Sequence, residues 1–281
     1  MKLPLTLALS ALAMAALALT VPGLARAASV ELRNVYAKVE IIPEDRADVA
    51  VDLRASDGKL ALPRVTRSGG EVLVDGGLWP NHHCGGIRSG HAVDVPGHGW
   101  MAASSALNIT VHTPRDARVT VSGAVIGNVR AARGFELTTS GCSQWRIADV
   151  SGTLSIRQSG AASIVAGAAG KAVLDLSGLT QVDLAAAHAL NVDMSGMGKV
   201  RLKSISGPVD ASLSGMGSVN IAGGRAERVK ADVSGMGGFS LHGSASELDA
   251  DVSGVGGVHV DHVYGEVRKS VSGIGRVSVG A

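Results

Sequence analysis

From residue 122 onward the chain returns to the dipeptide Ser-Gly at a nearly constant interval. The serines stand at Ser122, Ser140, Ser159, Ser177, Ser195, Ser214, Ser234, Ser253 and Ser272, in steps of 18, 19, 18, 18, 19, 20, 19 and 19 residues. A period this short, sustained over nine occurrences, defines a solenoid: one unit cannot bury its apolar face alone, and stacked neighbours supply the missing core. Helical units are excluded by composition. Glycine accounts for 38 of the 281 residues, and each glycine inside a helix costs about 1 kcal/mol relative to alanine.

Within a unit the apolar residues alternate as a strand requires. Ahead of the serine, Leu176, Met194, Leu213, Val233, Val252 and Val271 follow Asp175, Asp193, Ser212, Asp232, Asp251 and Ser270. Beyond the Gly-x-Gly segment a second alternation begins, as in Val200 and Leu202, Val219 and Ile221, Phe239 and Leu241, Val258 and Val260, and Val277 and Val279. The intervening Arg201, Asn220, Ser240, His259 and Ser278 are placed outside. The expected fold is therefore all-β: a single-stranded parallel β-helix, or β-solenoid, with coils of 18–20 residues and glycines at corners where a Cβ would clash. At about 4.8 Å per coil, eight coils make a rod of roughly 35–40 Å.

Between the corner glycines stand Met197, Met216, Met236, Val255 and Ile274. These residues read either as an apolar stripe along one edge or as an interior column filling the corner. The adaptability of methionine favours the interior column, which is the expectation.

The segments VDMSGMGKVRL, ASLSGMGSVNI, ADVSGMGGFSL, ADVSGVGGVHV and SVSGIGRVSV resemble the putative auto-transporter adhesin, head GIN domain family, an exported bacterial β-helix family. The opening ASVELRNVYAKVEII is similar to the family's first strands. Family members commonly carry Ser-Gly-Ser-Gly-Asp-Val at the corner, where this chain has Ser-Gly-Met-Gly-Lys-Val. A polar corner is thus replaced by an apolar one, without the acidic residue. The resemblance implies an adhesin-like binding role and brings no catalytic residues and no cofactor.

Residues 28–121 are less regular and are expected to begin the same solenoid and cap it, because terminal repeats are usually atypical. Residues 122–281 form the repetitive region. Residues 1–27 have the build of a signal peptide: Lys2, an apolar run, and small residues around Ala25-Arg26-Ala27. Cleavage after Ala27 is expected; an uncleaved anchor is the alternative. With no second long apolar stretch, no stable membrane insertion follows cleavage, and the periplasm is the default compartment, with surface display or release requiring other machinery. The 26 basic and 24 acidic residues are nearly balanced and scattered, which argues against nucleic acid as a partner.

The stretch 79–105 stands apart as a Gly-rich loop holding Trp79, His82, His83, Cys84, His91, His98 and Trp100. Its imidazoles and thiol offer ligand atoms, but no zinc spacing is present, and no metal site is expected. An exported chain with only Cys84 and Cys142 favours a disulfide between them; free thiols or an intermolecular bond are the alternatives. His259 and His262 read as alternating strand surface rather than a ligand pair.

Catalysis finds weak support. Asp175 with Asp193, and Asp232 with Asp251, form a candidate acidic ladder, with adjacent carboxylates about 5 Å apart, near the spacing of a retaining glycosidase pair. Any β-solenoid face has that spacing, and the chain holds only three Trp, two Tyr and two Phe from which to build sugar platforms. Serines repeated at every corner suit a structural role better than a nucleophile. The function expected is a non-catalytic exported binding or scaffold protein of the cell envelope whose partner is an envelope protein or glycan. The alternatives are a polysaccharide-degrading β-helix enzyme and a periplasmic sensor. Val277 and Val279 mark a candidate docking edge in the final coil, open to a second copy end to end or to a partner strand.

Overall fold

A computed structural model describes residues 28–78, 93–95 and 97–280. The protein is all-β, wound as a parallel solenoid of about nine turns of about 19 residues. Among the described residues the one helical element is a short 3-10 turn, Ala103–Ser105.

The register of the rungs follows the Ser-Gly steps. Ala161 lies opposite Leu179, Leu179 opposite Met197, Lys199 opposite Ser218, Ser218 opposite Gly238, Gly238 opposite Gly257 and Gly257 opposite Arg276. Those offsets of 18, 18, 19, 20, 19 and 19 residues match the serine intervals coil for coil. Each coil adds one residue to each column, so an inward column stays apolar along the rod.

The core is a stack of aliphatic layers. Leu176, Met194, Leu213, Val233 and Val252 are buried in successive rungs, as are Val200, Val219, Phe239 and Val258. Burying a side chain of this size stabilises by about 1.5–3 kcal/mol, and the parallel register aligns one such residue from each coil. Only the last coil departs, with Val271 exposed. Near the other end Trp145 is fully buried, and Gly127 makes room for it, because a Cβ there would overlap the indole ring.

The serine-glycine corners explain the repeat. A Cβ added at Gly178, Gly196, Gly215, Gly235, Gly254 or Gly273 would overlap the carbonyl oxygen of the corner glycine one coil earlier. The constraint is the approach of two backbones, and only glycine meets it. Hydrogen bonds between coils hold the corner together, as from the Met216 amide to the Gly196 carbonyl at 3.2 Å and from the Met236 amide to Gly215 at 3.1 Å. The Ser177 hydroxyl also donates to the Gln158 carbonyl of the preceding coil at 3.2 Å.

Parallel winding begins at the first described strand. Ser29–Glu44 pairs parallel with Glu71–Asp75, Leu107–Pro114 and Asp116–Val129. Antiparallel strands then enter at this end. Ala50–Arg54 adds to the far edge of Leu107–Pro114, and Arg64–Ser68 pairs with Glu71–Asp75, so an edge that would otherwise be bare is covered. Within the stretch expected to be a loop, Val93–Val95 and Gly99–Met101 form a short antiparallel hairpin. Alternating Val93 and Val95 are buried there.

Candidate functional site

Outward columns run along the solenoid, and three of them meet around each corner. Within one rung the chain passes from an acidic or serine position, through the corner serine, to the residue between the two glycines: Asp193, Ser195, Met197.

The residues between the glycines correct the expectation of an interior column. Met197, Met216, Met236, Val255 and Ile274 are all exposed, from 49% at Met197 to 87% at Ile274. So is Leu179, at 48%, in the same column one coil earlier, where Thr180 stands in place of the second glycine. The reason is parity. The strand alternation carries straight through the corner: Met194 and Val200 are buried, and Met197, an odd number of residues from each, faces solvent. The inward positions are the glycines: the first of each pair lies against the backbone of the preceding coil, and beneath some of the second ones buried side chains also close in. The Met194 Sδ lies 3.3 Å from a Cβ built at Gly198, and Val233 Cγ1 lies 2.6 Å from one built at Gly256. The result is a ridge of six large apolar residues, one per coil, about 24 Å long at the inter-strand spacing. Single exposed apolar residues are ordinary, whereas an aligned row of them marks an interaction surface.

The acidic ladder occupies the neighbouring column. Asp175 is opposite Asp193, Asp193 opposite Ser212, Ser212 opposite Asp232 and Asp232 opposite Asp251. Arg157 precedes Asp175 in the same column. Lys230 Nζ stands 3.3 Å from Asp232 Oδ2. Its ammonium is held above its ordinary pKa by the hydrogen bond to Asp232, then by the fields of Asp232, Asp210 and Asp249. Cations thus flank the carboxylates, and Asp175, Asp193 and Asp251 are exposed on this face, with Asp232 half-buried.

Val277 and Val279 lie in the strand Arg276–Val279, half-buried against the core, and pair on one side with Val258 and Val260. Cys142 opens the strand Cys142–Ile147 and is buried. Cys84 falls outside the described residues, as do His82, His83, His91, Trp79 and the segment 1–27. The Cys84–Cys142 bridge and the signal peptide therefore stand as proposals.

Two groupings escape a reading based on single strands. A polar trough of about 540 Å³ is lined by Lys38, Glu40, Asn108, Thr110, Gln144 and Arg146, among others. The second is His242, His259 and Asp261, whose ligand atoms all lie within 4.8 Å of one another. His262, the neighbour of His259 in the chain, is not in this group. The missed signal was the period: Asp261 is 19 residues after His242, one coil along.

A parallel stack of about 19-residue coils places the protein in the class of β-solenoid repeat proteins. Residues 98–266 match the family described as putative auto-transporter adhesin, head GIN domain, and with more than half of its length matched the chain belongs to that family. The description is that of an auto-transporter adhesin head, which suggests an exported protein. No curated protein matches the chain. Among the described residues no helix is long and apolar enough to cross a membrane.

Proposed function

We propose that this protein is a non-catalytic, exported binding or scaffold element of the cell envelope, and that the apolar ridge from Leu179 to Ile274 is the surface that engages its partner. One observation carries the reading: six exposed apolar side chains recur in register at the corners. The core does not need them there, since they face away from it. A methionine-rich row adapts to an apolar protein surface, and the partner is read as an envelope protein rather than a glycan. The periplasm is the compartment, reached through a signal peptide ending at Ala27 and compatible with a Cys84–Cys142 bridge.

The test compares binding to isolated envelope fractions by the mature protein and by Met197→Gln/Met216→Gln/Met236→Gln. Loss of binding in the triple variant, with binding kept in Asp175→Asn/Asp193→Asn, is expected. Equal binding by wild type and ridge variant would sink the ridge as the site. Release of reducing ends from envelope polysaccharide, abolished by Asp193→Asn or Asp251→Asn, would overturn the non-catalytic reading.

A further inference from the structure

We propose that His242, His259 and Asp261 bind a divalent metal ion of the zinc class, clipping together two successive coils near the C-terminal end of the solenoid. His259 and Asp261 are two residues apart in the strand Gly257–Val263, so they share its outer face. His242 lies in the preceding coil, in the strand Gly238–Val252, and the 19-residue period sets it beside them. The three therefore meet because of the winding.

The geometry suits one ion. With metal–ligand bonds of about 2.0–2.1 Å, tetrahedral ligand atoms stand about 3.3 Å apart. His259 Nε2 is 3.0 Å from Asp261 Oδ1, and His242 Nδ1 is 3.5 Å from the same oxygen, values on either side of that edge. The third separation is within 4.8 Å, closed by small rotations of side chains that are partly free. The imidazole rings are tilted by 55° with centroids 5.9 Å apart, so they are not stacked face to face.

The other nitrogen of His259 is already held. Nδ1 lies 2.9 Å from the Ser278 hydroxyl of the next coil, and with Nε2 on the metal, Nδ1–H donates to that oxygen. Such an outer partner fixes the ring and its tautomer. Two imidazoles and one carboxylate favour zinc, cobalt or nickel over calcium and magnesium, which take oxygen ligands. The side chain of His242 is 50% exposed and that of Asp261 27%, leaving a path for the ion and room for water to complete the coordination.

The experiment titrates tag-free mature protein with Co²⁺ at neutral pH, reading the visible ligand-field absorption, followed by displacement with Zn²⁺. One equivalent of Co²⁺ is expected, displaced by Zn²⁺ and not by Ca²⁺. The band should vanish in His242→Gln and in His259→Gln, and the affinity should fall about tenfold in Ser278→Ala. Zn²⁺ should also raise the unfolding temperature of the wild type and leave that of His242→Gln unmoved. The exposed His242 makes its variant a mild one, and unchanged far-ultraviolet circular dichroism certifies its fold. Absence of a band in the wild type overturns the proposal. So does a band that survives both histidine substitutions, which would place the ion on other histidines.

Discussion

At the scale of single residues, glycines a few positions apart in the repeat differ sharply in what they do. At Gly215 a Cβ would overlap the Gly196 carbonyl oxygen, whereas at Gly238 it would come no closer than 3.5 Å to the Gly257 carbonyl, an ordinary contact. Gly215→Ala is therefore expected to destabilise by about 1–3 kcal/mol, the range for forcing packed structure apart. Gly238→Ala should be neutral or stabilise by about 0.4–1 kcal/mol through the unfolded chain. Urea denaturation of both variants checks the contrast, and equal effects would remove the backbone-approach account of the corner. Charge acts more weakly. Arg133 Nε donates to Asp116 Oδ2 at 2.8 Å, and this bond, aided by the field of Arg133 and opposed by burial, holds the Asp116 carboxyl below its ordinary pKa. A depressed folded pKa contributes stability above about pH 4, the unfolded value, and loses it as pH falls through the folded value. Arg133→Gln should thus be slightly less stable than wild type at neutral pH and low salt. The gap should close on acidification below pH ~4 and in high salt, since the pair is exposed and screened. A gap that widens in acid would contradict the assignment.

At the scale of the element, period and alternation made the coil legible, and the same alternation, followed one step further, would have placed the corner residues correctly. Methionine's suitability for filling gaps suggested an interior column, but Met197 stands three residues from buried Met194 and three from buried Val200, and an odd count puts it outside. Parity outweighs residue type when a strand passes through a bend without a bulge. The His242, His259 and Asp261 group was hidden for a related reason: its members adjoin across coils, and only stacking the chain at its own period reveals them. The trough at Lys38 and Gln144 had no such signal, because the first coils lack a regular repeat. The exposed ridge carries a stability prediction separate from binding. Met197→Gln/Met216→Gln/Met236→Gln should unfold within about 0.5 kcal/mol per site of wild type. Interior methionines would cost about 2–5 kcal/mol each on truncation to alanine. Denaturant midpoints of the Gln and Ala series decide between these positions, and a loss of several kcal/mol per site would return the column to the core.

At the scale of the whole molecule, the two ends of the solenoid are managed differently. At the N-terminal end the antiparallel strand Ala50–Arg54 covers an edge of the first coils. At the other end Arg276–Val279 pairs with Gly257–Val263 on one side, and among the described residues no strand pairs with its other side. Ile274 and Val271 are exposed there, and Val277 and Val279 are only half-buried. An unpaired edge with apolar flanks invites another strand. The nearby charges moderate this weakly, since Arg268 is engaged with Glu266 at 3.0 Å, leaving Lys269 and Arg276 beside the edge. The asymmetry selects the kind of assembly. Among the described residues Ala50–Arg54 and Arg64–Ser68 are also outermost strands, but they carry Asp52, Arg54, Arg64 and Arg67 where the C-terminal edge carries Val277 and Val279. Pairing between two like C-terminal edges, a closed two-fold dimer, is therefore the assembly proposed. The proposal is that two molecules join end to end through Val277 and Val279. Sedimentation over a wide concentration range should show a monomer passing to a dimer and no further, and Val277→Lys/Val279→Lys should remain monomeric while keeping wild-type circular dichroism. A wild type that stays monomeric at every concentration would refute the docking edge, and growth beyond the dimer would refute the closed pairing.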